Sequence, residues 1–370
     1  MADVYRVAAP FESRSHLVIF LTATFAILML PFLNAWLLRA SAADVFRSVP
    51  PRYENYRFMG NATARGGEVD VLIIGGSDAW TSFDTNVLIE ELSLALGRPA
   101  KVLNFGANWY GAEAYSARVQ DALTNIKAKV VVVTDTFGEM TYPHQLAKYW
   151  WLYPDNIAPA SLTLPEKATL YASSLLGAPR RLWAGLHGVG SLKVAPQFQY
   201  GAEEMDRTLG FNGVRLGWLY KSTDESRRAK YIEQARPRAE LPLDKFFYRN
   251  AEDDAFTYYF DDYTAYQTAF LKQTDRIVRE RGGIFAMISV PKLVEGKLGE
   301  KALIRRLWNG EKRSWPEFGV PTAALFAGLS DEEAHAFYYN EDHLNMSGAK
   351  LYSRTIVPAL AKLVTDAEKR

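Results

Sequence analysis

The chain contains no cysteine. Disulfides, thiol nucleophiles and zinc–thiolate centres are therefore excluded, and the absence fits any compartment. It also lacks a long basic run, and its formal net charge is +1. There is thus no electrostatic footprint for a nucleic-acid partner, and none is expected. The densest basic stretch, ESRRAKYIEQARPR from Glu225 to Arg238, mixes signs and reads as a solvated face. Internal repeats and low-complexity tracts are missing too. With 370 residues, 48% apolar and 23% charged, the chain is not of the disordered class and can bury a large core.

One segment lacks charge altogether. Leu17 to Leu38, LVIFLTATFAILMLPFLNAWLL, is 22 residues without a charged side chain. As a helix it would extend about 33 Å, enough for a bilayer core of about 30 Å. Trp36 stands where an interfacial aromatic belongs, and Pro31 and Asn34 are tolerable near one end. An uncleaved membrane anchor is expected. The competing reading is a cleaved signal peptide, because Ala-Ser-Ala at 40–42 resembles a cleavage site, but the apolar stretch is longer than such peptides use. Arg6 and Arg14 precede the segment while Arg39, Arg47 and Arg52 follow it, so charge counting slightly favours a cytoplasmic downstream domain.

After a linker the pattern alternates. VDVLIIGG reads as a buried strand, TNVLIEELSLALG as a helix closed by Gly97, and AKVLNFG as a second strand. AEAYSARVQDALTNI reads as a second helix and KVVVVTD as a third strand. The rhythm resumes late, with a helix over YTAYQTAFLKQTDRIVRERGG, the strand IFAMISV and a last helix from about Ser347 to Glu368. Such alternation predicts an α/β fold, a parallel sheet covered by helices on both faces. The expected organisation is a tail at 1–16, the anchor at 17–38, a linker at 39–68 and an α/β domain at 69–370. An aromatic-rich insertion without clear period occupies about 141–262.

Ligands of parallel α/β sheets bind beyond the carboxyl ends of the strands. Ser77, in GGSDAW, follows the first strand there. Asn104 to Gly111 follows the second strand, and Thr134 to Thr136 the third. The segment YYNEDHLNMSGAKLY brings His343 to the start of the final helix. Four loops from distant segments would converge on one rim.

On these residues the chain resembles the SGNH (GDSL-type) hydrolase superfamily, and within it the membrane-anchored bacterial branch that works in polysaccharide O-acetylation. The likeness covers about 69–137 and about 284–363. It implies a three-layer, flavodoxin-like sheet with Ser77 as nucleophile and His343 as base, and NEDHLNMSG, with Asn345 and Gly348 in register, is its most specific part. It further implies a serine acyl-enzyme mechanism, acetyl as the default acyl group, a polysaccharide substrate, and a multi-span membrane-bound O-acyltransferase as partner. The domain would lie on the periplasmic or extracytoplasmic side of the inner membrane, against the charge count. No cofactor or metal is implied.

Two positions depart from the family. Its triad aspartate stands three residues before the histidine, where this chain has Asn340, and its oxyanion asparagine falls at Thr136. The oxyanion glycine is Gly111 or Gly106. A serine hydroxyl needs a neighbouring imidazole, and the imidazole an acceptor on its other nitrogen. In serine proteases, replacing the triad aspartate by asparagine lowers turnover about 10⁴-fold. Asp342 or Asp78 could supply a displaced carboxylate, and Thr136 or Asn108 could donate to an oxyanion. The alternative is a degenerate site in an accessory subunit that binds glycan or partner.

Other features read as structural. These are His144, His187, His335, the Gly-x-Gly within GLHGVG at 185–190, and the pairs Asp253, Asp254 and Asp261, Asp262. YWWLYP at 149–154 could stack on sugar rings, although packing inside the insertion is the plainer reading.

Overall fold

The computed structural model describes residues 13–38, 59, 62–63, 65–106, 111–134, 159–175, 264–291, 314–320, 325–330, 333–334, 336–338 and 343–370. Within it, the strands are β1 (Gly67–Gly75), β2 (Val102–Gly106), β3 (Ile126–Thr134), β4 (Ile284–Ser289) and β5 (Glu317–Gly319), of which β1 and β3 are rich in β-branched residues. The helices are α1 (Arg14–Leu38), α2 (Ser77–Ser82), α3 (Thr85–Leu96), α4 (Ala112–Ala122), α5 (Leu164–Leu175), α6 (Ala265–Glu280) and α7 (Met346–Glu368).

The strands make one sheet in the order β2-β1-β3-β4-β5, and every neighbouring pair is parallel. This is the α/β architecture expected, in the strand order of flavodoxin-type sheets. Both faces are covered, which is why the strands read as continuous apolar runs rather than alternating ones. Leu72, Ile74, Val131, Val133, Phe285 and Met287 meet α4 and α6 on one side. Val71, Ile73, Val130, Val132, Ala286 and Ile288 meet α3 and α7 on the other.

Local chemistry sets the helix ends. Asp84 caps α3 by accepting from the backbone N–H groups of Asn86 and Val87, and Gly97 closes it in the left-handed region at φ 65°. Thr264 and Gln267 form a reciprocal capping box at the start of α6. Several elements differ from expectation. α4 ends at Ala122, because Thr124 and Asn125 turn back onto Asp121 and Ala122 and Gly67 N–H reaches Asn125 O, so β3 starts at Ile126 instead of Lys129. β5 is only three residues long, too short to leave a periodic signal. α5 lies inside the insertion read as aperiodic; Thr163 and Glu166, whose side chains bond each other's backbone N–H, were the capping signal for it.

α1 runs over 25 residues, and Leu17, Val18, Ile19, Phe20, Phe25 and Met29 along it are exposed. Its side chains are described only to Met29, and among the described residues no helix is long and apolar enough to cross a membrane. The anchor expected at 17–38 is accordingly not established by the fold.

Candidate active site

In a parallel sheet all carboxyl ends share one edge, and there β1 runs directly into α2, whose first residue is Ser77. Gly76 precedes it as N-cap with φ −81° and ψ −157°, an ordinary extended conformation. Glycine is needed at this elbow for space, not for a left-handed backbone. A Cβ on Gly75 would sit 2.3 Å from Ala79 Cβ and 2.3 Å from Thr134 Oγ1, and one on Gly106 would sit 2.5 Å from Trp80 N. The two strand-end glycines thus let α2 lie directly against the sheet edge.

Buried polar groups pin α2 there. Asn104, fully buried, donates from Nδ2 to Ala79 O at 3.0 Å and accepts from Gly106 N–H at 2.8 Å. Asp78 Oδ1 accepts from Ala79 N–H at 2.8 Å and from the Thr134 hydroxyl at 3.4 Å. The segment that carries Ser77 is therefore held from below by β2 and β3 as well as by its own chain.

His343 arrives from the far end of the sequence, on the turn before α7. Asn345 organises that turn with both ends of its amide. Its Oδ1 caps α7 by accepting from Ser347 N–H at 3.0 Å and Gly348 N–H at 3.1 Å, while its Nδ2 donates to Ala336 O at 2.7 Å. Leu344 bridges Tyr338, and a Cβ on Gly348 would meet Phe337 O at 2.3 Å, so the turn and the helix are in close contact. α7 is fixed to β4 by Tyr352, whose hydroxyl donates to Ser289 O at 2.6 Å, and to the N-cap of α3 by Ser353, whose Oγ accepts from Asp84 N–H at 2.8 Å.

The outcome is a contact of 2.8 Å between Ser77 Oγ and His343 Nε2, with both side chains half-buried. When the ring proton sits on Nδ1, Nε2 is an acceptor and the serine hydroxyl donates to it, which is the arrangement for general-base activation of an alcohol. Ser77 and Asp78 are the first two residues of α2, and the next N–H, that of Ala79, is taken by Asp78 Oδ1.

Of the expected oxyanion glycines, Gly106 commits its N–H to Asn104 Oδ1, whereas Gly111 is the buried N-cap of α4. Asp78, one of two carboxylates considered for the ring, accepts from Ala79 and Thr134. Asp342, Asn340, Thr136 and Asn108 lie outside the described residues, as do His144, His187, His335, the 185–190 and 149–154 segments and the acidic pairs at 253–254 and 261–262.

Sequence reading missed the polar residues of α4. Arg118 is 2% exposed and donates from Nη1 to Gly75 O at 2.6 Å. Tyr115, also buried, places its ring 5.7 Å from the guanidinium and its hydroxyl 3.5 Å from Thr134 Oγ1. Glu113 and Asp121 are buried as well. A helix this polar reads as half-solvated, so no periodic signal discloses that it is enclosed.

The opposite end of the sheet is different in kind. A hollow of about 160 Å³ there is lined by Asp70, Arg98, Lys101, Lys127 and Lys129 among others. Arg98 and Lys129 each bridge Asp70 on β1 to Glu368 at the end of α7, at 2.5 to 2.9 Å. Burial pushes the Asp70 carboxyl up, but hydrogen bonds from Arg98, Lys129 and Lys101 N–H outweigh it and bring it down to about 2. These charges satisfy one another far from Ser77 and form a structural clamp. Among the described residues no group of histidine, aspartate and glutamate side chains is placed to hold a metal ion.

No protein-family model, curated protein or solved structure matches this chain.

Proposed function

We propose that this chain is a membrane-anchored, SGNH-type serine acyltransferase or esterase acting on a cell-surface or exopolysaccharide, with acetyl as the acyl group. The observation that carries the reading is the 2.8 Å contact of Ser77 Oγ with His343 Nε2 at the carboxyl edge of a parallel sheet. In the reaction, Ser77 Oγ attacks the acyl carbonyl while its proton passes to His343 Nε2, and the negative oxygen is stabilised by N–H donors at the start of α2. Collapse releases the donor's alcohol, which takes the proton from His343 and leaves an acyl-serine. A sugar hydroxyl or water then gives its proton to His343 and attacks the acyl carbon, and His343 returns the proton to Ser77 Oγ as it leaves.

The location in the inner membrane, with the domain facing outward, is supported by the charge-free run at 17–38 and by the exposed apolar side chains of α1 up to Met29. The polysaccharide substrate and the membrane-bound O-acyltransferase partner rest on the motif likeness around Ser77 and His343. Asn340 and Thr136, which replace an acid and an amide of the family, favour a second reading as a catalytically inert accessory subunit.

Labelling of the detergent-solubilised chain with a fluorophosphonate probe separates the two. The enzyme reading expects labelling that disappears in Ser77→Ala, falls by about 10³-fold or more in His343→Ala, and drops in Asp342→Asn if that carboxylate orients the ring. A folded wild-type chain that stays unlabelled would leave the accessory role.

A further inference from the structure

The proposed chemistry leaves unused one of the largest fully buried side chains among the described residues, that of Arg118. Burying a guanidinium is among the costliest placements a side chain can have, because it gives up its hydration. Nη1 donates to the carbonyl of Gly75, the last residue of β1, two positions before Ser77. The other side of Gly75 is closed by Ala79 and Thr134, where no Cβ would fit. Arg118 is therefore the side chain that clamps the strand end from which the nucleophile departs. It stands on α4 two turns from that helix's N-cap Gly111, on the same stripe, and its guanidinium lies by the ring of Tyr115, whose hydroxyl leads through Thr134 Oγ1 to Asp78.

Resting on the reading of Ser77 as nucleophile, we infer that Arg118 is a positioning residue for acyl transfer: it locks the β1–α2 elbow to α4 and keeps a fixed positive charge beneath the site. Gly75 and Ser77 Cα atoms can be no more than about 7.6 Å apart, so the charge is close to the reacting centre. A cation there stabilises negative charge developing on the acyl oxygen and disfavours protonation of His343. Among the described residues, the buried charged groups of the surrounding elements are Asp78 on α2, Asp84 at the N-cap of α3, Glu113 and Asp121 on α4, Glu317 on β5, and Asp275 on α6, which is held by Arg279 and Ser314. None of these changes in the variants below.

The test measures the second-order rate of fluorophosphonate labelling against pH for the solubilised full chain, together with its thermal melting. Arg118→Gln keeps an N–H donor and removes the charge; Arg118→Lys keeps the charge. Arg118→Gln is expected to label about tenfold or more slowly per folded molecule, with the acidic limb of the profile moved to higher pH, whereas Arg118→Lys keeps the wild-type limb. An unmoved limb in Arg118→Gln, with any rate loss matching the unfolded fraction, makes Arg118 a packing residue and overturns the inference. If Arg118→Gln does not fold, an acidic limb displaced in Arg118→Lys overturns it and an unmoved limb with slower labelling supports it. Absence of labelling in the wild type instead defeats the underlying reading, and the inference with it.

Discussion

Ser77 and His343 are separated by 266 positions in the chain, yet Oγ and Nε2 lie 2.8 Å apart. The two residues sit on short segments at the starts of α2 and α7, and each segment has buried hydrogen bonds of its own, through Asn104 and Asn345. Their relationship is thus a property of the scaffold, and perturbing the scaffold should separate them without touching either residue.

The glycines give the sharpest contrast. Gly75→Ala would place a methyl group 2.3 Å from both Ala79 Cβ and Thr134 Oγ1 and must push α2 off the sheet edge. Overpacking of this kind costs about 1–3 kcal/mol, and labelling at Ser77 should fall with it. Gly97→Ala meets nothing within 4 Å and is strained only by its φ of 65°. It should lose about 1 kcal/mol in urea unfolding and label at the wild-type rate.

Asn345 should prove to be the hinge pin of the histidine turn. Asn345→Asp retains an oxygen to cap α7 but replaces the Nδ2 donor by an acceptor facing Ala336 O, 2.7 Å away in the native protein. Asn345→Ala loses both functions. We expect losses of about 1–3 kcal/mol for each, together with slower labelling, measured by chemical denaturation and by probe kinetics. Labelling unchanged in both would mean that His343 is held from elsewhere.

Acid should loosen the far end of the sheet before it reaches the site. Asp70 has its folded carboxyl lowered from 3.8 to about 2, so its contribution is fully present above about pH 4 and is lost as pH falls toward 2. Arg98 and Lys129 are about one-third exposed, which limits the stabilisation to about 1–2 kcal/mol after screening. Asp70→Asn should therefore flatten the stability–pH curve between pH 4 and 2 and lower stability at pH 7 by a similar amount.

Truncation of Tyr352 tests the link between α7 and β4. Its hydroxyl donates to Ser289 O at 2.6 Å and its ring lies 5.6 Å from that of Phe83. Tyr352→Phe keeps the ring and leaves a buried carbonyl short of a donor, so a loss of about 1–2 kcal/mol is expected with labelling largely retained. A loss of labelling without loss of stability would place the hydroxyl in the site itself.

Much of this architecture was legible from residue pattern alone. Runs such as VDVLIIG and KVVVV have no polar face, which only a strand covered on both sides tolerates, and Gly97 and Thr264 with Gln267 mark helix ends by local rules. Ser77 and His343 could be nominated because strand ends and the NEDHLNMSG segment are contiguous in the chain. These are interactions among near neighbours, and a linear string records them. What the tertiary structure alone decided is everything that depends on distant segments meeting. That β5 joins the sheet, that Gly106 spends its N–H on Asn104, and that Arg118 on a polar helix is enclosed beneath Gly75 follow from packing across the sheet edge. Burial is a relation between surfaces brought together from far apart, so no window of sequence contains it.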